Sequence, residues 1–565
     1  MRSEVSAAGE AFEVDSKPLR LALGALIALK LALLFVLAWN RRFVMDEFVQ
    51  FGWAKYIPHQ IGAMAADQIK AEGYAFFFEL AHLIGWNARS MLLLGRMEMS
   101  LLACGTLAIV YGLARSLGET KARAALIVLI LLSFSNFIER IFETRGDPLS
   151  VFFGAAALLI AIRGRDRRWW ILAGGVLSGL AFLSTQKAVY FNFALGVALV
   201  GDAALDRRFL EGIARGALLV LGWLIPIIVY CVVLGGRDPL AVGHNLFFGP
   251  VGAISPQLAA DYGDLRQFVV QALVRNALLY LFCFAGMILA LLRLPRLDRA
   301  RRVALIFSVI VTALVFANNQ PWPYVFIMAL PFMALWALLP FDALASKSLY
   351  LRAAGTVLAI AIAVSFVKNL TYLRIDNRDQ LALVDRAEAL LGPNDVYFDG
   401  VGMLPNRSEP SSLWLDRHAV LATLRGEQYS DAYRIFANTP PKMIIWSYRM
   451  NAIEPVVGPL IHHSYVPVAP NIRIAGSQLR LGERVQFSVP VTGVYGLYDL
   501  NGEPLRVRLA INGVPNILPV TLSRGSASIA LLSGPAGALL LPKGEYAGKI
   551  DATRNDKDLF ANVYN

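Results

Sequence analysis

Hydrophobic positions along this chain follow two patterns. Up to about residue 368 they form long unbroken runs near the roughly 20 apolar residues that a membrane-spanning helix needs. The runs fall at 19–39, 90–114, 122–138, 148–163, 169–186, 188–202, 214–235, 268–292, 303–317, 323–341 and 353–368. This pattern predicts a polytopic α-helical membrane protein with about 11 transmembrane helices. The first run has no small-residue cleavage site behind it and is expected to be a retained span.

Beyond the last run the pattern changes. Residues 369–471 alternate helical and strand-like stretches: helices near 380–391 and 428–436, strands at 395–399 and 442–448. They predict a small α/β region. Residues 472–565 carry short alternating runs split by turns, such as Val485 to Val489 and Leu505 to Ile511 before Asn512-Gly513. They predict a β-sandwich. The expected organisation is a membrane module over 1–368, an α/β region over 369–471 and a sandwich over 472–565.

Charge adds orientation. Alternate loops hold Arg115/Lys121/Arg123, Arg163/Arg165/Arg167/Arg168, Arg207/Arg208/Arg215, Arg293/Arg296/Arg299/Arg301/Arg302 and Lys347/Arg352. Short basic loops stay on the cytoplasmic side. The N-terminus is then cytoplasmic, and everything after Lys368 is periplasmic. The outer face receives a first loop at 40–89, a turn around Glu143–Asp147, a loop at 236–267, the turn Asn318–Tyr324 and the C-terminal region. Within the first loop, Val44/Phe48/Phe51 and Phe76/Phe77/Leu80/Leu83 recur at helical spacing. They predict amphipathic helices lying on the membrane surface.

Composition agrees. Hydrophobic residues make up 57% of the chain and charged residues 17%, too little polar surface for a soluble protein of this size. The net charge of +12 sits in short loops between apolar runs, which excludes a nucleic-acid-binding face. Cys104, Cys231 and Cys283 all lie within apolar runs, so they supply no external disulfide framework. No Gly-rich nucleotide loop and no Cys/His cluster is present, which disfavours a nucleotide-driven pump.

The outer face carries the candidate chemistry. Asp46-Glu47 follows the first run; it reads as a helix start complementing the dipole, or as a general base toward an acceptor hydroxyl. Asp147 precedes Pro148 and reads as a helix N-cap, or as a carboxylate at the mouth of the bundle. Arg140 and Arg145 place positive charge on the outer side, where guanidinium groups bind phosphate. Lys187 reads as a snorkelling lysine, or as a further cation facing the same space. Asn318, Asn319, Gln320, Trp322 and Tyr324 read as an interfacial aromatic turn, or as a headgroup or sugar platform. Arg96 and Glu98 are expected to be structural.

The order of these segments resembles the GT-C membrane glycosyltransferases, among them protein O-mannosyltransferases, lipid A aminoarabinose transferases and rhizobial lipopolysaccharide glycosyltransferases. The resemblance rests on Asp46-Glu47, on ETRGDPLSVFF, on GLAFLSTQKAVYF and on NNQPWPYVFIMALPFMAL, and covers roughly residues 1–345. One departure is Gly73 to Phe78, which lacks the Pro-Pro-Leu-type segment of many members.

The resemblance implies an inverting transfer of a sugar from a polyprenyl-phosphate carrier to a hydroxyl of a cell-envelope acceptor on the outer face; the lack of disulfides and of a targeting extension points to a bacterial inner membrane. It implies Asp46 as base, with Glu47 and Asp147 orienting the acceptor or, with Asp46, holding a divalent cation. It implies Arg145, Lys187 and Arg140 on the donor phosphate. Two alternatives stay open: a lipid-linked sugar flippase, and a non-catalytic membrane-anchored glycan-binding or assembly subunit.

Overall fold

A computed structural model describes residues 16–55, 71–164, 167–236, 238–253, 265–411, 414–425, 430–551 and 555–563. Six helices among them are long and apolar enough to cross a membrane: Lys17–Asn40, Ala88–Ser116, Gly146–Arg163, Gln186–Leu205, Phe209–Gly235 and Ser348–Arg374. Arg266–Arg275 and Ala277–Leu291, bent by 94°, form a seventh if taken as one span. Leu210, Leu221, Ile228 and Val232 remain exposed, which suits a surface facing lipid. The chain is a membrane protein with a helical bundle and a C-terminal region rich in β-structure.

Helix length and composition therefore give fewer spans than the eleven expected. The run 122–138 breaks into Lys121–Leu131 and Ser135–Arg140. Asn276 holds the break open: its Oδ1 accepts from Ser135 N at 2.8 Å and its Nδ2 donates to Ser133 O at 3.2 Å. These bonds replace helical ones. The run 323–341 becomes a 3-10 turn at Pro323–Met328 and short helices at Leu330–Ala334 and Leu339–Leu344. Pro331 and Pro340 remove the backbone donors a continuous helix needs.

The basic loops gather at one end of the bundle. Arg301 Nε donates to Leu117 O at 2.9 Å, Arg163 Nε to Ser116 Oγ at 3.0 Å, and Arg302 Nε lies 3.0 Å from Asp202. Asp46, Arg145 and Lys187 cluster at the other end.

At that end Glu47 and Arg96 fix the geometry. Glu47 is fully buried in the first turn of Met45–Ala54, and Arg96 is buried within Ala88–Ser116. Arg96 Nε and Nη2 meet the two carboxylate oxygens at 2.8 and 2.6 Å, a bidentate fork. Its remaining donors reach the carbonyls of Ala38, Arg41 and Arg42, and its guanidinium lies 3.5 Å from the Phe43 ring. Glu47 also accepts from Val44 N at 3.0 Å and Thr144 N at 3.2 Å. Arg96 thus pairs with Glu47 and not with its near neighbour Glu98.

The helix Met45–Ala54 does not lie on the membrane surface. Phe43, Phe48 and Phe51 are buried, and the C-terminal region covers the helix. Phe48 packs edge-on to Phe560 at 6.1 Å, and Gln380 bonds both the N–H and the carbonyl of Phe43 at 2.7 and 2.9 Å. A side chain at Gly52 would meet Gly402 O at 3.1 Å, so that approach needs glycine. The helix Ala75–Ile84 does leave an apolar flank open, at Phe76, Leu80, Leu83 and Ile84, as an interfacial helix should.

Among the described residues the C-terminal region holds three sheets. Strands β1 (Tyr397–Phe398), β2 (Met443–Ile445), β3 (Tyr465–Ala469) and β4 (Ile472–Ala475) form one, ordered β1-β2-β4-β3, with β1 and β2 parallel. Helices Arg378–Leu390, Asp431–Asn438 and Tyr448–Ile461 accompany this sheet. The strand Ile472–Ala475 belongs to this sheet, because it pairs on one edge with β2 and on the other with β3.

The remaining strands form the two sheets of a sandwich: β5 (Ser477–Arg480), β6 (Arg484–Val489), β7 (Gly493–Tyr498), β8 (Pro504–Leu505), β9 (Arg508–Ile511), β10 (Val514–Ile517), β11 (Val520–Leu522), β12 (Gly525–Leu531) and β13 (Gly537–Pro542). Their orders are β10-β9-β12-β6 and β11-β7-β13-β5, with β8 beside β7. Phe487, Tyr495, Leu509, Ile529 and Leu540 fill the space between the sheets. The chain then returns: Asn471 holds Asp556 and Lys557, which brings Phe560 and Val563 back to the bundle.

Two tests follow from this packing. Glu47→Ala leaves Arg96 buried without its counter-charge, and removal of one partner of such a pair costs about 3–5 kcal/mol; a marked drop in the thermal unfolding midpoint of the solubilised protein is expected. A second junction joins Lys55 to Asp399 and Glu409. Burial, then the neighbouring Asp399 carboxylate, push the Glu409 carboxyl well above its ordinary range, against the pull of Lys55. The protonated form is therefore favoured in the fold. Its contribution is complete below the unfolded carboxyl value, near about 4.3, and is lost as pH rises through the raised folded value. Glu409→Gln keeps a donor without the charge, so thermal stability should fall less on the alkaline side than in the parent protein.

Candidate functional site

A cavity of about 700 Å³ opens where the end of the bundle opposite the basic loops meets the C-terminal region. Asp46 and Gln50 project into it from Met45–Ala54, and Arg145 and Asp147 from the start of Gly146–Arg163. Ser184 to Lys187 line it from the turn between two helices, and Gln320, Trp322 and Tyr324 from the late polar turn.

Local packing dictates these positions. A Cβ on Gly146 would stand 1.9 Å from Ser184 O, so only glycine lets the Arg145–Asp147 turn press against the Ser184–Lys187 turn. Gly146 N donates to Gln50 Oε1 at 2.9 Å, which ties the same turn to the helix bearing Asp46. Gly73 N donates to Leu183 O at 2.9 Å and brings Tyr74 alongside.

Charges alternate across the cavity wall. Arg145 Nη1 lies 2.5 Å from Asp46 Oδ2, and its Nε lies 3.4 Å from Asp147 Oδ2. Lys187 Nζ lies 3.0 Å from Asp147 Oδ1. Tyr324 presents its ring to both cations, 3.4 Å from the Arg145 guanidinium and 4.5 Å from Lys187 Nζ. Burial opposes the Arg145 charge, but Asp46, Tyr324, Asp147 and Glu143 outweigh it and hold the group protonated. Behind this layer, burial pushes the Glu143 carboxyl up to about 7; Arg140 opposes the rise and the like charge of Glu47 adds to it. Asp46 keeps 15% of its side chain exposed and Lys187 keeps 33%, so both remain open to the cavity.

The structure brings together Asp46, Arg145, Asp147, Lys187, Gln320, Trp322 and Tyr324 from the sequence candidates. Glu47 and Arg140 stand behind the cavity wall instead. Glu47 serves Arg96, and Arg140 bonds Glu143 at 2.7 Å and Val563 O at 2.6 Å. Asn318 caps its own turn through Gln320 N at 2.9 Å, and neither it nor Asn319 lines the cavity. For a divalent cation the residues do not fit as arranged. Asp46 and Asp147 are both engaged by Arg145, and among the described residues no group of three His, Cys, Asp or Glu side chains comes together.

Several lining residues were not among the sequence candidates: Trp414, Asp416, Arg417, Tyr448, Arg449, Asp558, Phe560 and Val563. All come from the C-terminal region. The signal available for two of them was position. Tyr448 and Arg449 open the helix after strand β2, and ligands of α/β units gather beyond the carboxyl ends of the strands.

With this geometry in place, similarity to known proteins becomes informative. Residues 70–230 match the dolichyl-phosphate-mannose-protein mannosyltransferase family. Residues 421–474 and 477–542 match two domains of unknown function. No curated protein matches the chain.

Among solved structures, the chain is similar to ArnT from Cupriavidus metallidurans bound to undecaprenyl phosphate. Identity is 15% and the TM-score 0.55, over 80% of this chain and 97% of that one. Apo ArnT from the same organism matches over the same shares, with 13% identity and a TM-score of 0.51. The oligosaccharyltransferase from Archaeoglobus fulgidus, in its apo form, gives 13% identity and a TM-score of 0.48, over 92% of this chain and 76% of that one. The family matched over residues 70–230 is one of mannosyltransferases and the chain shares the fold of ArnT, in agreement with the GT-C resemblance read from the sequence.

The Tyr324 ring can be tested directly. A cation over an aromatic face contributes about 0.5–2 kcal/mol. Tyr324→Phe should keep the thermal midpoint of the parent, whereas Tyr324→Leu should lower it.

Proposed function

We propose, from the GT-C glycosyltransferase fold that the chain carries, that it moves a sugar from a polyprenyl-phosphate carrier to a hydroxyl of a cell-envelope glycolipid, polysaccharide or protein. The observation that carries this reading is the run of alternating charges Asp46–Arg145–Asp147–Lys187 on the wall of one cavity. It offers a base and two cations within one substrate-sized space.

The roles follow from charge. The carrier's phosphate leaves with the electron pair of the broken glycosidic bond, and Arg145 and Lys187 offset the negative charge that develops there. Asp46 takes the proton of the attacking hydroxyl. At rest Arg145 holds one of its oxygens, and the carrier phosphate, which Arg145 also meets, loosens that hold. Asp147 orients both cations. A single displacement with one base inverts the sugar carbon. Trp322 and Gln320 offer a ring and an amide to the sugar. Glu47 acts on this site through the backbone and not by touching substrate.

The fold of a relative that binds undecaprenyl phosphate supports the choice of carrier. The basic loops, gathered away from the cavity, support a cytoplasmic location for that end. The cavity then faces the periplasm of a bacterial inner membrane, and the C-terminal region lies on the same side.

Asp46→Asn tests the assignment. Loss of a positioned base costs typically 10²–10⁴-fold in rate. Sugar transfer by the purified variant from a polyprenyl-phosphate sugar should drop on that scale, with the thermal unfolding midpoint retained. A variant that transfers sugar at the parent rate would remove Asp46 from the reaction.

A further inference from the structure

Arg449 enters the cavity from above, on the first turn of the helix Tyr448–Ile461. Its Nε lies 3.4 Å from Met45 Sδ, and its guanidinium lies 5.0 Å from the Tyr448 ring. Neither partner carries a negative charge. The planar fork of an arginine suits a carboxylate or a phosphate, and the Met45 thioether and the Tyr448 ring and hydroxyl offer it no charge to pair with.

The other charged groups of the cavity differ. On the membrane side, Arg145 and Lys187 are matched by Asp46 and Asp147. On the C-terminal side, Arg417 also lines the cavity, with Asp416 and Asp558. Both of those carboxylates cap local backbone, Asp416 through Ala419 N at 2.8 Å and Asp558 through Phe560 N at 3.0 Å. Among the described residues no carboxylate pairs with Arg449, a cation of this cavity, and its ion-pairing capacity is open to a ligand.

Its place relative to Asp46 suggests which ligand. In a single displacement the attacking hydroxyl and the departing phosphate lie on opposite sides of the sugar carbon. The base therefore marks the acceptor's side. Arg449 touches Met45, the residue next to Asp46, whereas Lys187 reaches the cavity from beyond Asp147. We propose that Arg449 binds an acid group on the acceptor glycan, a phosphate or a carboxylate close to the hydroxyl that reacts. This deepens the reading of Asp46 as the acceptor-side base and rests on it. The substrate class it names is an acidic glycan or glycolipid, and the C-terminal region supplies the group that selects it.

The test uses binding without turnover, on the full chain in nanodiscs. The probes are a phosphorylated lipooligosaccharide and the same molecule stripped of its phosphates. Saturating undecaprenyl phosphate fills the donor-phosphate side throughout. The parent protein should bind the phosphorylated form about tenfold more tightly, the scale of a hydrogen-bonded ionic contact, and the preference should shrink with added salt. Arg449→Ala should abolish the preference and leave undecaprenyl phosphate affinity unchanged, and Arg449→Lys should retain part of it. The proposal fails if the parent shows no preference, if Arg449→Ala keeps it, or if Arg449→Ala weakens undecaprenyl phosphate binding instead. Failure of Asp46 as base would appear separately, in the transfer rate of Asp46→Asn.

Discussion

The cavity end of this molecule is organised around one buried ion pair. Glu47 and Arg96 are 49 residues apart in sequence. Their fork anchors the start of the helix Met45–Ala54 to the long helix Ala88–Ser116. The same guanidinium binds the carbonyls that end the first membrane helix, and the same carboxylate binds Thr144 N just before the Arg145 turn. The two segments that carry Asp46 and Arg145 therefore share one electrostatic hub with two membrane helices. A buried pair of this kind is a poor source of net stability, because desolvation consumes most of the attraction. Its use here is to fix register: Asp46 points into the cavity because its neighbour cannot turn away.

The C-terminal region is part of the same construction. It rests on the helix Met45–Ala54 through Phe560, Gly402 and Gln380. After the sandwich the chain returns, so that Val563 O accepts from Arg140 beneath the cavity. The cavity thus has a membrane-side wall from one half of the sequence and a cover from the other. A helix read as lying on the membrane surface became an interior element because it is apolar on two sides, with Phe48 toward the cover and Phe51 toward the bundle.

Much of this was legible in the sequence, and the reason is periodicity. Long apolar runs, basic loops and alternating strands are local signals, and they gave the membrane bundle and the β-rich region. The candidates Asp46, Arg145, Asp147, Lys187, Gln320, Trp322 and Tyr324 were also legible, because topology put their segments on one side. The rest depends on contacts between distant residues. Nothing near Ser133 announces that Asn276 will break the helix there. Glu98 is the local carboxylate for Arg96, yet the partner is Glu47, because the helix turns Arg96 toward the start of Met45–Ala54 and Glu98 toward Ala81. The covering residues come from a region whose link to the site is made only by folding.

The salt bridge between Asp46 and Arg145 has one more consequence. At rest the membrane-side wall of the cavity is a closed zwitterion, in which Arg145 and Lys187 already have resident anions. On the proposed reading, an incoming phosphate must displace a carboxylate to reach Arg145. The displaced group is Asp46, which then gains freedom to accept a proton. Carrier binding would arm the base, and in its absence the base stays locked. The bridge then enforces an order of events, donor before acceptor.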